Sequence, residues 1–191
     1  RTSVNGNPGA RYSHAYKYNP YGMANTFNKT HLLNFLTNHT ISRNIFHEMK
    51  LSYTQNDNSS YVFENPEDAG YVHDAYYRNS GTGFLTGGQN KNYFQLKSDV
   101  LNIKYDLNWQ INSHNGIKTG FLWTQHKIDH KWYSIRNAYF GLSNEYESYY
   151  DQANKEIVFP NYKPVLPPDT LSSYSDVYSV EPKEISCYIQ D

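Results

Sequence analysis

The residue types in this chain that could do chemistry are scattered, and none has the spacing a reaction needs. Gly81-Thr-Gly83-Phe-Leu-Thr-Gly87-Gly88 has the glycine content of a phosphate-cradling loop, but its spacing is wrong and no helix signal follows it. His126 and His130 lie four positions apart. On a strand they share a face but stand roughly 13 Å from one another, too far for one metal ion. Glu145, Glu147 and Asp151 offer the oxygen ligands that Ca²⁺ takes, yet a solvated acidic stretch is the better reading. Glycoside cleavage needs two carboxyl groups about 5–9.5 Å apart. Asp74, Glu145 and Glu147 are available for that, with nothing in the sequence to position them. Cys187 is the single cysteine, so no intrachain disulfide or thiolate cluster can form, and it reads as a small buried filler. No metal site, no cofactor and no enzymatic activity are expected.

The stronger signal is aromatic. The chain holds 20 Tyr, 9 Phe and 3 Trp, although only 38% of it is apolar and its mean hydropathy is −0.83. Tyrosine and tryptophan suit surfaces that are half wet, because each joins an apolar body to a polar tip. They gather in two stretches: Tyr71, His73, Tyr76, Tyr77 and Arg78, then Trp132, Tyr133, Tyr139, Phe140, Tyr146, Tyr149 and Tyr150. Rigid rings with polar tips bind sugar faces, peptides or aromatic chelators at small entropic cost, so these twelve are the candidate ligand-binding residues. The competing use of the same rings is to pack the two loops against each other. A formal net charge of −1 and the lack of any Lys/Arg run argue against a nucleic-acid partner.

The elements that must carry these loops are strands. From Leu101 to Ile111 every odd residue is apolar or aromatic and every even one is polar or charged. A period of two over that length means a strand with one greasy and one wet face. The same period marks about 31–38, where the facing is ambiguous, Ile45–Gln55 with His47 as a misfit, and Ile117–Ile128; a fifth strand is expected from Glu184. The expected organisation is a lead-in over 1–30, a hairpin over 31–55, a long loop over 56–92, a hairpin over 93–130, a long loop over 131–183, and a new strand over 184–191. The fold class is all-β, an antiparallel meander of about five long strands. Its connections alternate: a tight turn within 39–44 and an Asn115-Gly116 hairpin at one end, long loops at the other. That alternation, with strands far longer than the ~5–6 residues of soluble sheets, is the pattern of an outer-membrane barrel with two long extracellular loops.

Asn38-His-Thr-Ile-Ser42, Phe46-His-Glu-Met-Lys-Leu-Ser-Tyr53, Lys97-Ser-Asp99, Asn112-Ser-His-Asn-Gly-Ile-Lys-Thr-Gly-Phe121 and Lys183-Glu-Ile-Ser-Cys-Tyr-Ile-Gln-Asp191 together resemble the barrel of TonB-dependent outer-membrane receptors. The resemblance is to the large receptors of Bacteroidetes-like bacteria and covers about 31–130 and the last nine residues; the long loops match nothing. It implies a barrel of about 22 strands around a plug domain. It also implies import of a bulky nutrient (siderophore, glycan or peptide) across the bacterial outer membrane, with energy passed through TonB. The expected partners are outer-membrane lipid, the extracellular nutrient, the plug and the TonB system. Nothing like a plug or TonB box occurs in the chain, which reads as a fragment of a longer barrel.

The rival is a soluble, secreted β-sandwich that holds carbohydrate with aromatic loops. The two readings differ in what covers the greasy face. For the barrel fragment, the sheet should be open and curved. Leu101, Ile103, Leu107, Trp109, Phe121 and Trp123 should then lie on its convex face, and Lys104, Asp106, Asn108 and Lys118 on its concave one. For a sandwich, the first set should lie under a second sheet.

Overall fold

The computed structural model describes residues 2–6, 14–76, 83–167 and 172–191. Its strands are β1 (Thr2–Gly6), β2 (Asn25–Ser42), β3 (Ile45–Tyr61), β4 (Asn92–Gln110), β5 (Gly116–Ser134), β6 (Arg136–Asn137), β7 (Tyr149–Asp151), β8 (Glu156–Val158), β9 (Pro164–Val165), β10 (Ser175–Val180) and β11 (Lys183–Gln190). Seven of them form one antiparallel sheet in the order β1-β2-β3-β4-β5, with β10 and β11 both on the far edge of β5. The sheet is not closed on itself. Two small ladders, β6-β9 and β7-β8, lie apart from it.

The alternating segments became strands, and longer ones than their pattern marked. β2 has 18 residues, β3 has 17, and β4 and β5 have 19 each. The expected hairpin over 31–55 therefore runs over Asn25–Tyr61, and the hairpin over 93–130 runs over Asn92–Ser134. The long connections shrink to 62–91 and 135–174. β10 and β11 keep one register against β5, Val180 opposite Ile128 and Lys183 opposite Gln125, so they are a single strand with a break. The break is chemical. The Pro182 carbonyl accepts from the His126 amide at 2.9 Å, but proline has no N–H to return.

Directly opposed residues of an antiparallel pair point to the same side, so the registers decide the faces. In every pairing among β2, β3, β4, β5, β10 and β11, odd residues oppose odd ones, apart from a bulge between Thr40 and Ser42. The whole sheet thus has an odd face and an even face. The ambiguous strand settles: Leu33 opposes Tyr53 and Phe35 opposes Leu51 on the odd face, while Leu32 and Leu36 fall on the even one.

Near the turns Arg43–Asn44 and Ile111–Asn115, the odd face carries apolar rows. Phe35, Leu51, Ile103, Trp123 and Ile185 form one row across five strands, with Met49, Tyr105, Phe121 and Cys187 in the next. Leu101, Ile103, Leu107, Trp109, Phe121 and Trp123 share this face as expected, with Lys104, Asp106, Asn108 and Lys118 on the other. No second sheet covers either face among the described residues. Leu33 is 67% exposed, Ile185 73% and Ile189 77%. Cys187 is exposed, not a buried filler, because it stands in this uncovered band.

Towards the long loops the odd face changes character. Lys29, Asp57, Lys97 and Asp129 form a row of alternating sign, and Ser179 closes it by donating to Asp129 at 2.6 Å. Above this row stand Tyr61, Tyr93 and Tyr133 side by side, Tyr61 and Tyr93 stacked with ring centroids 5.4 Å apart. The buried core lies there, on the loop side: Tyr71, Tyr93, Tyr133 and Ile135, with Phe63, Tyr162 and Val177 packed against it.

On the even face a glycine lets three strands be latched together. Gly120 stands directly between Asp106 on β4 and Tyr188 on β11. With no side chain in the way, the Tyr188 hydroxyl crosses it and donates to Asp106 Oδ1 at 2.5 Å, while Lys104 Nζ holds Oδ2 at 2.6 Å. A Cβ at Gly120 would lie 2.6 Å from both the Asp106 carboxylate and the Tyr105 carbonyl and 2.8 Å from the Tyr188 ring. Gly120→Ala should therefore destabilise by about 2–3 kcal/mol through overpacking and loss of the hydrogen bond, and Tyr188→Phe by about 1.5 kcal/mol. Equilibrium denaturation of the two variants checks this; an alanine as stable as the parent would mean that Tyr188 does not cross the glycine.

Candidate functional site

The two long connections dock on each other, and their aromatic residues do the docking. His73 is the hub. It stacks on Phe159 with centroids 5.1 Å apart and planes 15° apart, and meets the edges of Tyr146 and Tyr162. Its Nδ1 accepts from the Ala75 amide at 3.0 Å, opening the short 3-10 turn Asp74–Tyr76. Tyr76 then reaches the other loop. Its hydroxyl donates to the Ile157 carbonyl and accepts from the Phe159 amide, both at 3.1 Å. Phe63 meets Tyr71 edge-on at 4.9 Å. Lys91 pairs with Asp74 and lies over the Tyr162 ring at 4.2 Å.

Asparagines replace secondary structure in the second loop. Asn137 donates from Nδ2 to the Asn161 carbonyl at 2.9 Å, and its Oδ1 accepts from the Tyr139 and Lys163 amides at 3.2 Å each. Asn161 donates in turn to the Asn144 carbonyl at 2.7 Å and to Glu147 at 3.1 Å. Buried loop backbone must find partners, and amide side chains supply both donor and acceptor.

The candidate residues divide by burial. Tyr71 and His73 are 2% and 1% exposed, and Tyr133 is buried too, so these three present no surface to a ligand. Trp132 and Tyr133 are not loop residues at all. They end β5, opposed to Phe94 and Tyr93, because the ladder runs on past the last clear alternation. Tyr76 and Tyr139 are half-buried. Phe140, Tyr146, Tyr149 and Tyr150 stay exposed, the last two on the small β7-β8 ladder, with Arg136 held between the rings of Phe140 and Tyr174 at 3.8 and 4.1 Å. Tyr77 and Arg78 lie outside the described residues, as do residues 81 and 82 of the glycine-rich stretch.

The acidic candidates do not converge. Glu145 is buried rather than solvated and accepts from the Gly141 amide at 2.8 Å. Asp151 caps its own turn through the Ala153 amide and the Asn154 side chain. Among the described residues no three His, Cys, Asp or Glu side chains gather as a metal site. His126 and His130 both lie on β5, each on the even face.

Comparison with family models, with curated proteins and with solved structures finds no match. What the loops do rests on their geometry alone. The hydrophobic cluster beneath them is built on Tyr61, Tyr93, Tyr133 and Val177, all odd-face residues. The loop cap therefore sits on the same side of the sheet as the apolar band, with the charged rows between them. Phe159, Tyr162, Lys91 and the Asn137–Asn161 pair complete this cap. No local pattern marks them, since their partners lie far off in the chain.

Burial pushes the Tyr162 phenol well above the ordinary tyrosine range, with Asp74 and Tyr71 adding to the rise. Burial also raises Tyr71, partly offset by the Phe63 backbone. Groups raised in the folded state leave stability intact below the ordinary tyrosine value of about 10 and lose it as pH climbs through their folded values. Alkaline titration followed by phenolate absorbance and near-ultraviolet circular dichroism should show most tyrosines ionising near that value. A late minority should ionise only as the near-ultraviolet signal collapses, and Tyr162→Phe should shrink it. Ionisation of every tyrosine in one step, with the signal unchanged, would rule out a buried cap.

Proposed function

We propose that this chain is a stretch of the wall of a TonB-dependent receptor in the bacterial outer membrane. In this reading it helps import a bulky nutrient and does no enzymatic chemistry. The observation that carries the reading is the uncovered apolar band on the odd face. Contiguous exposed apolar patches beyond a few hundred Å² are rare on soluble monomers. Each square ångström taken from water contributes roughly 25 cal/mol, so such a band has a large incentive to be covered. Along β3 it runs from Ile45 to Tyr53 before Gln55 and Asp57 interrupt it. At ~3.3 Å per residue that is about 27 Å along the strand, and tilted by ~40° it spans about 20 Å, close to the ~25 Å lipid band of outer-membrane barrels.

The connections support the same orientation. Arg43–Asn44 and Ile111–Asn115 are short and lie beside the band, as periplasmic turns do; 62–91 and 135–174 are long and lie beyond it, as extracellular loops do. Lys104, Asp106, Asn108 and Lys118 then face a wet lumen. Among the described residues no helix is long and apolar enough to cross a membrane, so a crossing would be made by strands. The sandwich reading needs a second sheet packed about 10 Å above the first, and the two small ladders belong to the loop region. On this reading the exposed loop rings, Phe140, Tyr146, Tyr149 and Tyr150, would meet a nutrient from outside. The plug and the TonB system are partners that only the resemblance implies.

Fractionation of the full-length protein tests this. It should sediment with outer membranes, resist carbonate extraction, and migrate faster on detergent gels unheated than boiled. A soluble, monomeric full-length protein in plain buffer would overturn the reading.

A further inference from the structure

The even face reverses its character where the odd face does, and the reversal exposes a surface that neither the loops nor the band accounts for. From Thr54 to Ser60 on β3, and at the opposed positions of β2, β4, β5 and β10, the even face holds one charged side chain among the described residues, Asp176. The odd face at these levels carries the alternating charges. On β4 the apolar phase switches from Leu101 and Ile103, which are odd, to Phe94 and Leu96, which are even.

Rings gather on that neutral face. Phe94 opposes Trp132, and Leu96, His130 and Tyr178 form the next row across three strands. His130 stacks on Tyr178 with centroids 4.7 Å apart and planes 14° apart, and Phe94 meets His130 edge-on at 5.6 Å. Beside these rings, on β3, stand the amides of Asn56 and Asn58, Asn56 accepting from Thr30 at 3.0 Å. No described element covers the surface, and Tyr178 is 46% exposed.

We infer that this patch is a binding site for a neutral oligosaccharide on the inner wall, below the loop cap and on the opposite face from it. The inference rests on the reading that the even face lines the lumen. The charge decides the ligand class. An anionic ligand finds no lysine or arginine on this face at these levels among the described residues, and the one charge present there, Asp176, repels it. A wholly apolar ligand would bury the Asn58 amide and the Asn56 amide nitrogen without partners, which is unfavourable. A peptide strand finds its main-chain partners at a sheet edge, not on a face. A neutral sugar satisfies both halves, its C–H faces on the rings and its hydroxyls on the amides.

The test uses the full-length protein in detergent. Its heat-dependent gel mobility is recorded first, and calorimetric titration follows with maltohexaose, xylohexaose and mannohexaose, hexagalacturonate and a neutral hexapeptide. At least one neutral hexasaccharide should bind. Trp132→Ala and Tyr178→Ala should each weaken it about tenfold, while Tyr178→Phe, which keeps the ring, stays within about threefold of the parent. The inference falls if none of the three neutral sugars binds, if only hexagalacturonate or the peptide does, or if both alanine variants bind as the parent does. A protein whose mobility is unaffected by heat, yet binds sugar through Tyr178, would keep the site and remove the receptor reading. A heat-modifiable barrel that binds no neutral sugar would do the opposite.

Discussion

Both faces of this sheet depend on the register of its backbone ladder, because nothing else separates them. In a covered sheet, a core enforces which side chains point inward. Among the described residues no second sheet covers most of the strand length, so the parity of each pairing decides whether Ile103 stands with Trp123 or with lysines. A slip of one residue would exchange every side chain between faces. The tight turn at Arg43–Asn44 and the Asn112–Asn115 turn hold the two hairpins in phase, the latter with the Asn112 carboxamide accepting from the His114 and Asn115 amides at 2.9 Å each. The Asp106–Tyr188 bond over Gly120 extends the same phase across three strands.

The loop cap is a second consequence of that bareness. Among the described residues the strands offer a packed hydrophobic cluster at their loop ends, on Tyr93 and Tyr133, and the connections cluster there. Their rings find partners in one another, as His73 does between Phe159 and Tyr146. A residue used this way loses its value to a ligand. The rings that remain exposed, Phe140, Tyr146, Tyr149 and Tyr150, lie in the first half of the second loop, on or before the β7-β8 ladder.

Much of the fold was legible because period two is hard to counterfeit over many residues. The alternation predicts β4 over 93–111, and it runs from Asn92 to Gln110. β3 was expected to stop near Gln55, since Asn56-Asp-Asn-Ser-Ser60 has poor strand propensity, yet it continues to Tyr61. The ladder overrides propensity there: Asp57 opposes Lys97, and Ser59 donates to Asp57 at 2.5 Å. Trp132 and Tyr133 were misplaced in a loop for the same reason. The site was less legible. Pairings such as Tyr76 with Ile157 join residues far apart in the chain and leave no local trace. The change of apolar phase between Leu96 and Leu101 does leave one, and it is the signal in the sequence that points to the even-face rings.

That phase change also constrains what the strands do as a whole. A strand standing wholly in one medium on each side has no reason to exchange its faces midway. On the odd face the apolar rows of the four long strands end at about the same level, at Leu33, Tyr53, Leu101 and Trp123, with β11 ending at Ile185, and on β4, β5 and β10 apolar residues resume on the even face at Leu96, Ile128 and Tyr178. On β5 and β11 the apolar rows end one row earlier, since Gln125 opposes Leu101 and Lys183 opposes Gln125. If the odd face meets lipid, as proposed above, this level, shared to within one row by five strands, is where lipid gives way to water.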